Sequence, residues 1–231
     1  MSTSPNHFAL QDPALENPLA HLPYSAIVQY RKGSVIYDWE GPPTGIYLVV
    51  EGRVKVSRVA INGRRLVLDI YQTDEFLGES AFLKRRHTRD LAVAMEDTKL
   101  MGWTAAEIES LMAERPRLGV ALLQLLVHRN LGFAQRIEGL STDSIGRRLA
   151  CTLIEFSERL TAPEVDGWAT ILPLTHKVLS EYLGTSREIV TSQMNRFRRD
   201  GYVKYSRHEV KFRRSALLEW LRQDSVRIMT S

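Results

Sequence analysis

Residues 187–199 place groups that bond base-pair edges along one side of a helical pattern. Arg187 carries the paired donors that fit the two acceptors of guanine, and Glu188 can accept from the amino group of cytosine. Thr191 and Ser192 add hydroxyls that serve a base, while Asn195 adds an amide suited to a phosphate. The other side is apolar. Val190, Met194 and Phe197 stand at i, i+4 and i+7, so a helix here packs one stripe and presents the polar one.

Such a helix must be aimed, and the neighbouring residues supply the means. Thr175 can cap a preceding helix in which Val178, Leu179, Tyr182 and Leu183 follow helical spacing. Gly184 ends it, because glycine accepts left-handed backbone, and Thr185 stands where it can cap the second helix. Thr185 and Glu188 also match the S/T-x-x-E capping box, so Glu188 has two readings, cap or base contact. Beyond Gly201, residues 202–205 and 209–212 alternate as two short strands around Ser206, Arg207 and His208. Residues 174–214 therefore read as a winged helix-turn-helix. Thr175, Ser186, Asn195, Arg196, Arg207, Lys211 and Arg213 are expected on the sugar-phosphate backbone.

Charge is distributed to match. Residues 1–140 hold 16 basic and 16 acidic side chains and residues 141–231 hold 15 and 11, so the net charge of +4 lies wholly in the second part. Within 187–214 the balance is nine to three. A cationic surplus on the reading pattern neutralises phosphates and makes binding fall with salt.

With 231 residues, 44% of them hydrophobic, the chain can bury two compact cores, and no run of 18 apolar residues suggests a membrane span. Its first 23 residues lack the charged start and continuous apolar stretch of a secretory signal, so a cytoplasmic location is expected. Cys151, the single cysteine, excludes an internal disulfide and cannot alone hold an iron–sulfur cluster or a structural zinc. In the apolar run RRLACTLIEF it reads as a small buried thiol. No HExxH, P-loop, G-x-S-x-G or paired-carboxylate arrangement is present, so neither a catalytic site nor a metal site is expected.

Residues 24–104 are short alternating or apolar segments broken by glycine, the pattern of an antiparallel sandwich or barrel. Glu51-Gly52 and Asn62-Gly63 mark hairpins, the second with a type I′ sequence. Gly78 enters a short helix whose amides can hold an anion. Residues 84–89 form a basic loop that is either solvated or anion-gathering. Residues 116–140 then run without a proline after the first. Leu118, Leu122, Leu125, Arg129, Phe133, Ile137 and Leu140 mix spacings of three and four, as a long helix with one apolar seam does. At about 40 Å it outreaches the barrel, so its seam is expected to meet a second subunit.

In this order, with Phe76-x-Gly78-Glu79, Arg89 eleven residues after Gly78, and Gly184-Thr185-Ser186-Arg187-Glu188 before the wing, the chain resembles the Crp/Fnr family of bacterial transcription regulators over roughly 22–225. The resemblance implies an α+β architecture: an N-terminal antiparallel β-barrel or jelly roll of cyclic-nucleotide-binding type, a long dimerisation helix and a C-terminal winged helix-turn-helix. It divides the chain into an N-terminal extension (1–21), an effector-sensing barrel (22–115), a dimerisation helix (116–140) and a DNA-binding domain (141–231). It also implies a homodimer on a palindromic operator in double-stranded DNA, with RNA polymerase as a further partner. The dimer would be sealed by Leu118, Leu122, Leu125, Phe133, Ile137 and Leu140. An effector pocket would draw on Gly78, Glu79, Ser80, Arg89, Asp90, Arg129 and Phe133.

Departures from the family pattern bear on the effector. In cyclic-AMP-binding members the glutamate after the glycine takes the ribose hydroxyl, and an Arg-Ser or Arg-Thr pair holds the phosphate. Glu79 and Arg89 match, but Asp90 follows, and a carboxylate repels a phosphate. Phe133 and Ala134 stand where hydroxyls bond adenine, and neither can donate. Cyclic AMP is therefore not expected, and the thiolate count excludes an iron–sulfur cluster. His7, His21, His87 and His128 are scattered and read as ordinary polar residues rather than haem ligands. Two readings stay open for the cassette: an unidentified small-molecule effector, or an Arg89–Asp90 ion pair that closes an empty site. Ser192 also stands where members commonly carry an arginine, so the familiar half-site does not transfer intact. The alternative in another class is a module acting through protein interaction, its basic tail on an acidic partner.

Overall fold

The computed structural model describes residues 15–83, 89–159, 164–171, 174–206 and 209–229. The chain divides into two compact units between Leu126 and Val127.

The first unit is an antiparallel jelly roll of eight strands: β1 (Ile27–Tyr30), β2 (Val35–Tyr37), β3 (Gly45–Glu51), β4 (Arg53–Val59), β5 (Arg65–Gln72), β6 (Phe76–Leu77), β7 (Asp90–Ala94) and β8 (Thr98–Thr104). One sheet runs β1-β8-β3-β6 and the other β2-β7-β4-β5. Alternation places Val54 and Val56 of β4 inside, where they meet Tyr37, Val49, Tyr71, Leu77, Ala92 and Leu100. At Asn62-Gly63 the turn differs from the I′ type. Gly63 has a positive φ of 76° and Asn62 does not, while the Gly63 and Ala60 amides donate to the Ala60 and Arg64 carbonyls. That is a three-residue loop, a type I turn closed by a left-handed glycine, and the bulge it forms supplies the twist that the I′ turn would have supplied.

A capping box between Thr104 and Glu107 starts α1 (Ala105–Glu114) directly from the last strand. The long helix α2 (Pro116–Thr142) follows. Leu118 and Leu122 are buried with Ile46, Leu48, Phe76, Trp103 and Ile108, and Leu125 packs on the same cluster. These three leucines were expected at a subunit interface and instead complete the barrel's own core. A second apolar stripe of α2 lies exposed: Val120, Leu123, Val127, Leu131 and Ile137, with Leu140 beyond. The earlier seam merged two faces because spacings of three and four alone do not separate them.

The second unit comprises α3 (Ile145–Arg159), β9 (Ala169–Ile171), α4 (His176–Leu183), α5 (Arg187–Arg199), β10 (Val203–Tyr205), β11 (Val210–Phe212) and α6 (Arg214–Met229), together with the last turns of α2. Its three strands pair antiparallel in the order β10-β11-β9. Val190, Met194 and Phe197 are fully buried, and Phe197 meets the rings of Tyr202 and Trp220 at 6.2 and 5.3 Å. Cys151 lies on the exposed side of α3 rather than in the core. The apolar run around it is amphipathic, and its buried face is Leu149, Leu153, Ile154 and Phe156.

Gly78 gives a stability test. Its φ is +93°, and a Cβ there would stand 2.5 Å from the Gly45 carbonyl oxygen and 2.9 Å from Cδ2 of Tyr47. Backbone strain and overpacking together make Gly78→Ala destabilising by about 2–4 kcal/mol, read as a lowered urea midpoint.

Candidate nucleic-acid interface

The helix-turn-helix is built from its caps. The Thr175 hydroxyl accepts from the Val178 amide at 3.2 Å and opens α4. Gly184, at φ +64°, closes it, and the Thr185 amide bonds back to the Ser180 carbonyl at 3.0 Å. Thr185 is thereby committed to the exit of α4. Capping of α5 passes to Ser186, whose hydroxyl accepts from the Ile189 amide, so the Thr185–Glu188 capping box does not form. Thr175 uses its oxygen as a cap acceptor, which leaves its O–H to donate to a phosphate, whereas the Ser186 O–H is given to the Glu188 carboxyl.

Arg187, Glu188 and Ser192 are exposed on the first turns of α5, while Val190, Met194 and Phe197 are buried. The backbone amide of Glu188 itself, then the Ser186 hydroxyl and the Arg187 charge, hold the Glu188 carboxyl below the usual carboxylate range. It is an ionised acceptor, as a contact to a cytosine amino group requires. Thr191 differs from the expectation that its hydroxyl serves a base. That hydroxyl donates to the Arg187 carbonyl at 2.8 Å and lies 2.9 Å from Nδ1 of His176. Asn195 accepts at Oδ1 from the Tyr205 hydroxyl at 2.8 Å, which turns its amide end into the available donor.

The wing and the strand beside it gather positive charge. Trp168, just before β9, lies under two cations, with Lys204 Nζ at 4.3 Å and the Arg213 guanidinium at 4.9 Å from the ring centroid. Arg198 lies 5.3 Å from the Tyr205 ring. Lys211 pairs with Glu209 at 3.0 Å and Arg196 with Asp200 at 3.9 Å. Exposed pairs of this kind are worth about 0–1 kcal/mol, so a phosphate can compete for either cation. Arg214 pairs with Glu158 of α3. Arg207 lies outside the described residues. Trp168 and His176 carry no periodic or motif signal, and the strand alternation around Lys204 and Tyr205 does not name their partners, which only the fold brings to them.

In the barrel, Gly78 is buried and leads into a 3₁₀ turn (Glu79–Phe82) on which Glu79 and Ser80 are half-buried. Arg89 is exposed, and Asp90 begins β7. Asp90 is paired with Arg58, not with Arg89: Nε to Oδ1 is 2.8 Å and Nη2 to Oδ2 is 3.3 Å. Consecutive strand residues face opposite sides, so Asp90 meets the residue across the ladder, and Arg58 is its register partner on β4. Arg129 and Phe133 are half-buried on α2 within the second unit. His7 and residues 84–88, His87 among them, lie outside the described residues. Among the described residues, no three His, Cys, Asp or Glu side chains cluster to hold a metal, and no helix is long and apolar enough to cross a membrane.

Comparison with known proteins agrees with this geometry. Residues 27–115 match the cyclic nucleotide-binding domain family, and residues 147–221 match the Crp-like helix-turn-helix domain family. The transcriptional regulator SdrP of Thermus thermophilus is 31% identical over 182 residues, spanning 77% of this chain and 84% of its own. A global nitrogen regulator of Synechococcus elongatus is 29% identical over 167 residues, 71% of this chain and 75% of its own. A solved CRP/FNR-family regulator of Thermus thermophilus superposes with a TM-score of 0.65 at 26% identity, covering 85% of this chain and 98% of that one. With a cyclic nucleotide-binding jelly roll and a Crp-like helix-turn-helix both in place, the chain belongs to the Crp/Fnr family, whose members are transcription regulators and not enzymes.

Proposed function

We propose that this regulator binds an inverted-repeat operator in double-stranded DNA as a homodimer and reads each half-site with Arg187 and Glu188. The observation that carries the reading is α5, with one face buried through Val190, Met194 and Phe197 and the other offering a cation and an ionised carboxylate in its first turn. Two copies related by a two-fold axis meet half-sites about 34 Å apart.

The exposed stripe of α2 supports the dimer. Val120, Val127 and Ala134 repeat every seven residues, with Leu123, Asn130 and Ile137 three residues after each. Leu123 and Ile137 are 61% and 64% exposed in the single chain, whereas Leu118 is 0% exposed. Valine at a (Val120, Val127) with leucine at d (Leu123) suits a parallel two-stranded coiled coil. On this reading Ile137 keeps its expected place, and Val120, Leu123 and Val127 replace Leu118, Leu122 and Leu125.

The signal is a small molecule other than cyclic AMP. At 26–31% identity the relatives include a cyclic AMP receptor protein of Thermus thermophilus as well as a global nitrogen regulator, so the signal has to be read from this barrel's own residues. Here Asp90 stands where the phosphate needs a donor, and Arg58 holds it in place. A ligand that favours one barrel arrangement shifts the dimer between DNA-competent and incompetent populations, and the bound dimer then meets RNA polymerase in the cytoplasm.

Three outcomes test this. Arg187→Ala relaxes preference at one base pair per half-site at about 1–3 kcal/mol, while Arg213→Ala weakens all sequences alike. Equal losses on operator and random duplex for Arg187→Ala would remove the base-reading role. Val127→Glu yields monomers in sedimentation and abolishes operator binding. Leu118→Ala keeps the dimer but lowers stability by about 2–5 kcal/mol. Cyclic AMP changes neither melting nor operator affinity. A ligand at a hundred times its dissociation constant would instead stabilise by about 2.7 kcal/mol.

A further inference from the structure

His176 opens α4, and its ring reaches α5 and the wing. Its Nδ1 lies 2.9 Å from the Thr191 hydroxyl, and its ring packs edge-on against Tyr205 at 5.3 Å. Tyr205 is in turn bonded to Asn195. The protons in this contact can be counted. A threonine hydroxyl has one hydrogen, and here it points to the Arg187 carbonyl at 2.8 Å. Were it turned to His176, two oxygens would face each other at that distance with no proton between them. Nδ1 must therefore carry a hydrogen and donate it to Thr191. Burial, and then the Arg187 charge, lower the His176 pKa, so the ring is neutral with its proton on Nδ1. With its hydroxyl held from both sides, Thr191 has one group left to show on the reading face, its methyl.

We propose that His176 is a positioning residue for sequence recognition: its Nδ1–H locks the Thr191 hydroxyl, so that α5 offers the Thr191 methyl to the 5-methyl group of a thymine in each half-site. Apolar contact with that group distinguishes thymine from the other bases in the major groove. The assignment rests on α5 being the reading helix.

Selection from a random duplex library with the full-length protein supplies the operator, and each thymine is then replaced singly by deoxyuridine, which removes only the methyl. Wild type loses about fourfold in affinity at one thymine per half-site, the worth of one buried carbon. Thr191→Ser loses this discrimination and Thr191→Val keeps it. His176→Phe, which retains the ring against Tyr205 but not the donor, weakens the discrimination. His176→Asn, which returns an N–H near the Nδ1 position, restores it. Nitrogen NMR of the free protein finds the Nδ1–H tautomer, a readout that a purely structural histidine does not dictate. An operator that is enriched yet insensitive to every deoxyuridine, unchanged discrimination in Thr191→Ser, or an Nε2–H tautomer overturns the proposal. If wild type enriches no inverted repeat, the reading role of α5 itself fails and this assignment goes with it.

Discussion

A helix can read DNA only if one face is held rigidly and the opposite face is left free, and that division is made in α5 by three side chains. Val190, Met194 and Phe197 are buried to 1% exposure or less. Phe197 is braced by Tyr202 at the start of the wing and by Trp220 of α6. Rotating α5 by half a turn would turn this stripe to solvent and Glu188 and Ser192 inward, at the cost of several kcal/mol of lost burial. Cap geometry depends on the same anchor. Because α4 ends through Gly184 and Thr185, α5 begins at Ser186, and the first turn that follows carries the cation and the carboxylate.

The long helix meets a related problem with two apolar faces instead of one. Leu118, Leu122 and Leu125 close the barrel core, while Val120, Leu123 and Val127 stay exposed on another side. Valine and leucine at these exposed heptad positions are what the proposed dimer would cover. The division of labour along a single helix also means that a change of packing inside the barrel acts on the same element that would hold two subunits together.

Charge in the barrel is arranged by the pleat of the sheet. Asp90 is the first residue of β7, and its carboxylate is taken by its register partner Arg58 across the ladder, not by Arg89 beside it in sequence. Arg53 at the start of β4 pairs with Glu96, just beyond β7, at 2.8 Å, with Arg53 buried. What resembles a phosphate-binding dipeptide in one dimension is two unrelated positions in three.

Much was legible without coordinates. Apolar spacing in α5, the Thr175 cap, the Gly184 stop, the alternating wing and the glycine-broken strands are local signals, each set by backbone preferences acting over a few residues, and they were enough to place the reading head and the fold class. Other features depend on residues far apart in the chain. The Asn62-Gly63 turn is fixed by the Ala60–Arg64 and Gly63–Ala60 hydrogen bonds that close its loop, and the leucines of α2 were sorted between two faces by where the barrel lies. His176 and Thr191, fifteen residues apart, or Trp168 and Arg213, forty-five apart, meet only because separate elements pack together. The amino-acid order determined which segments are helix or strand and which side of each is apolar, since those follow from short-range sterics and hydrophobicity. Partner choice for polar side chains beyond the local caps and helix turns was decided by the tertiary structure, because a hydrogen bond or ion pair forms with whatever group packing brings within 3 Å.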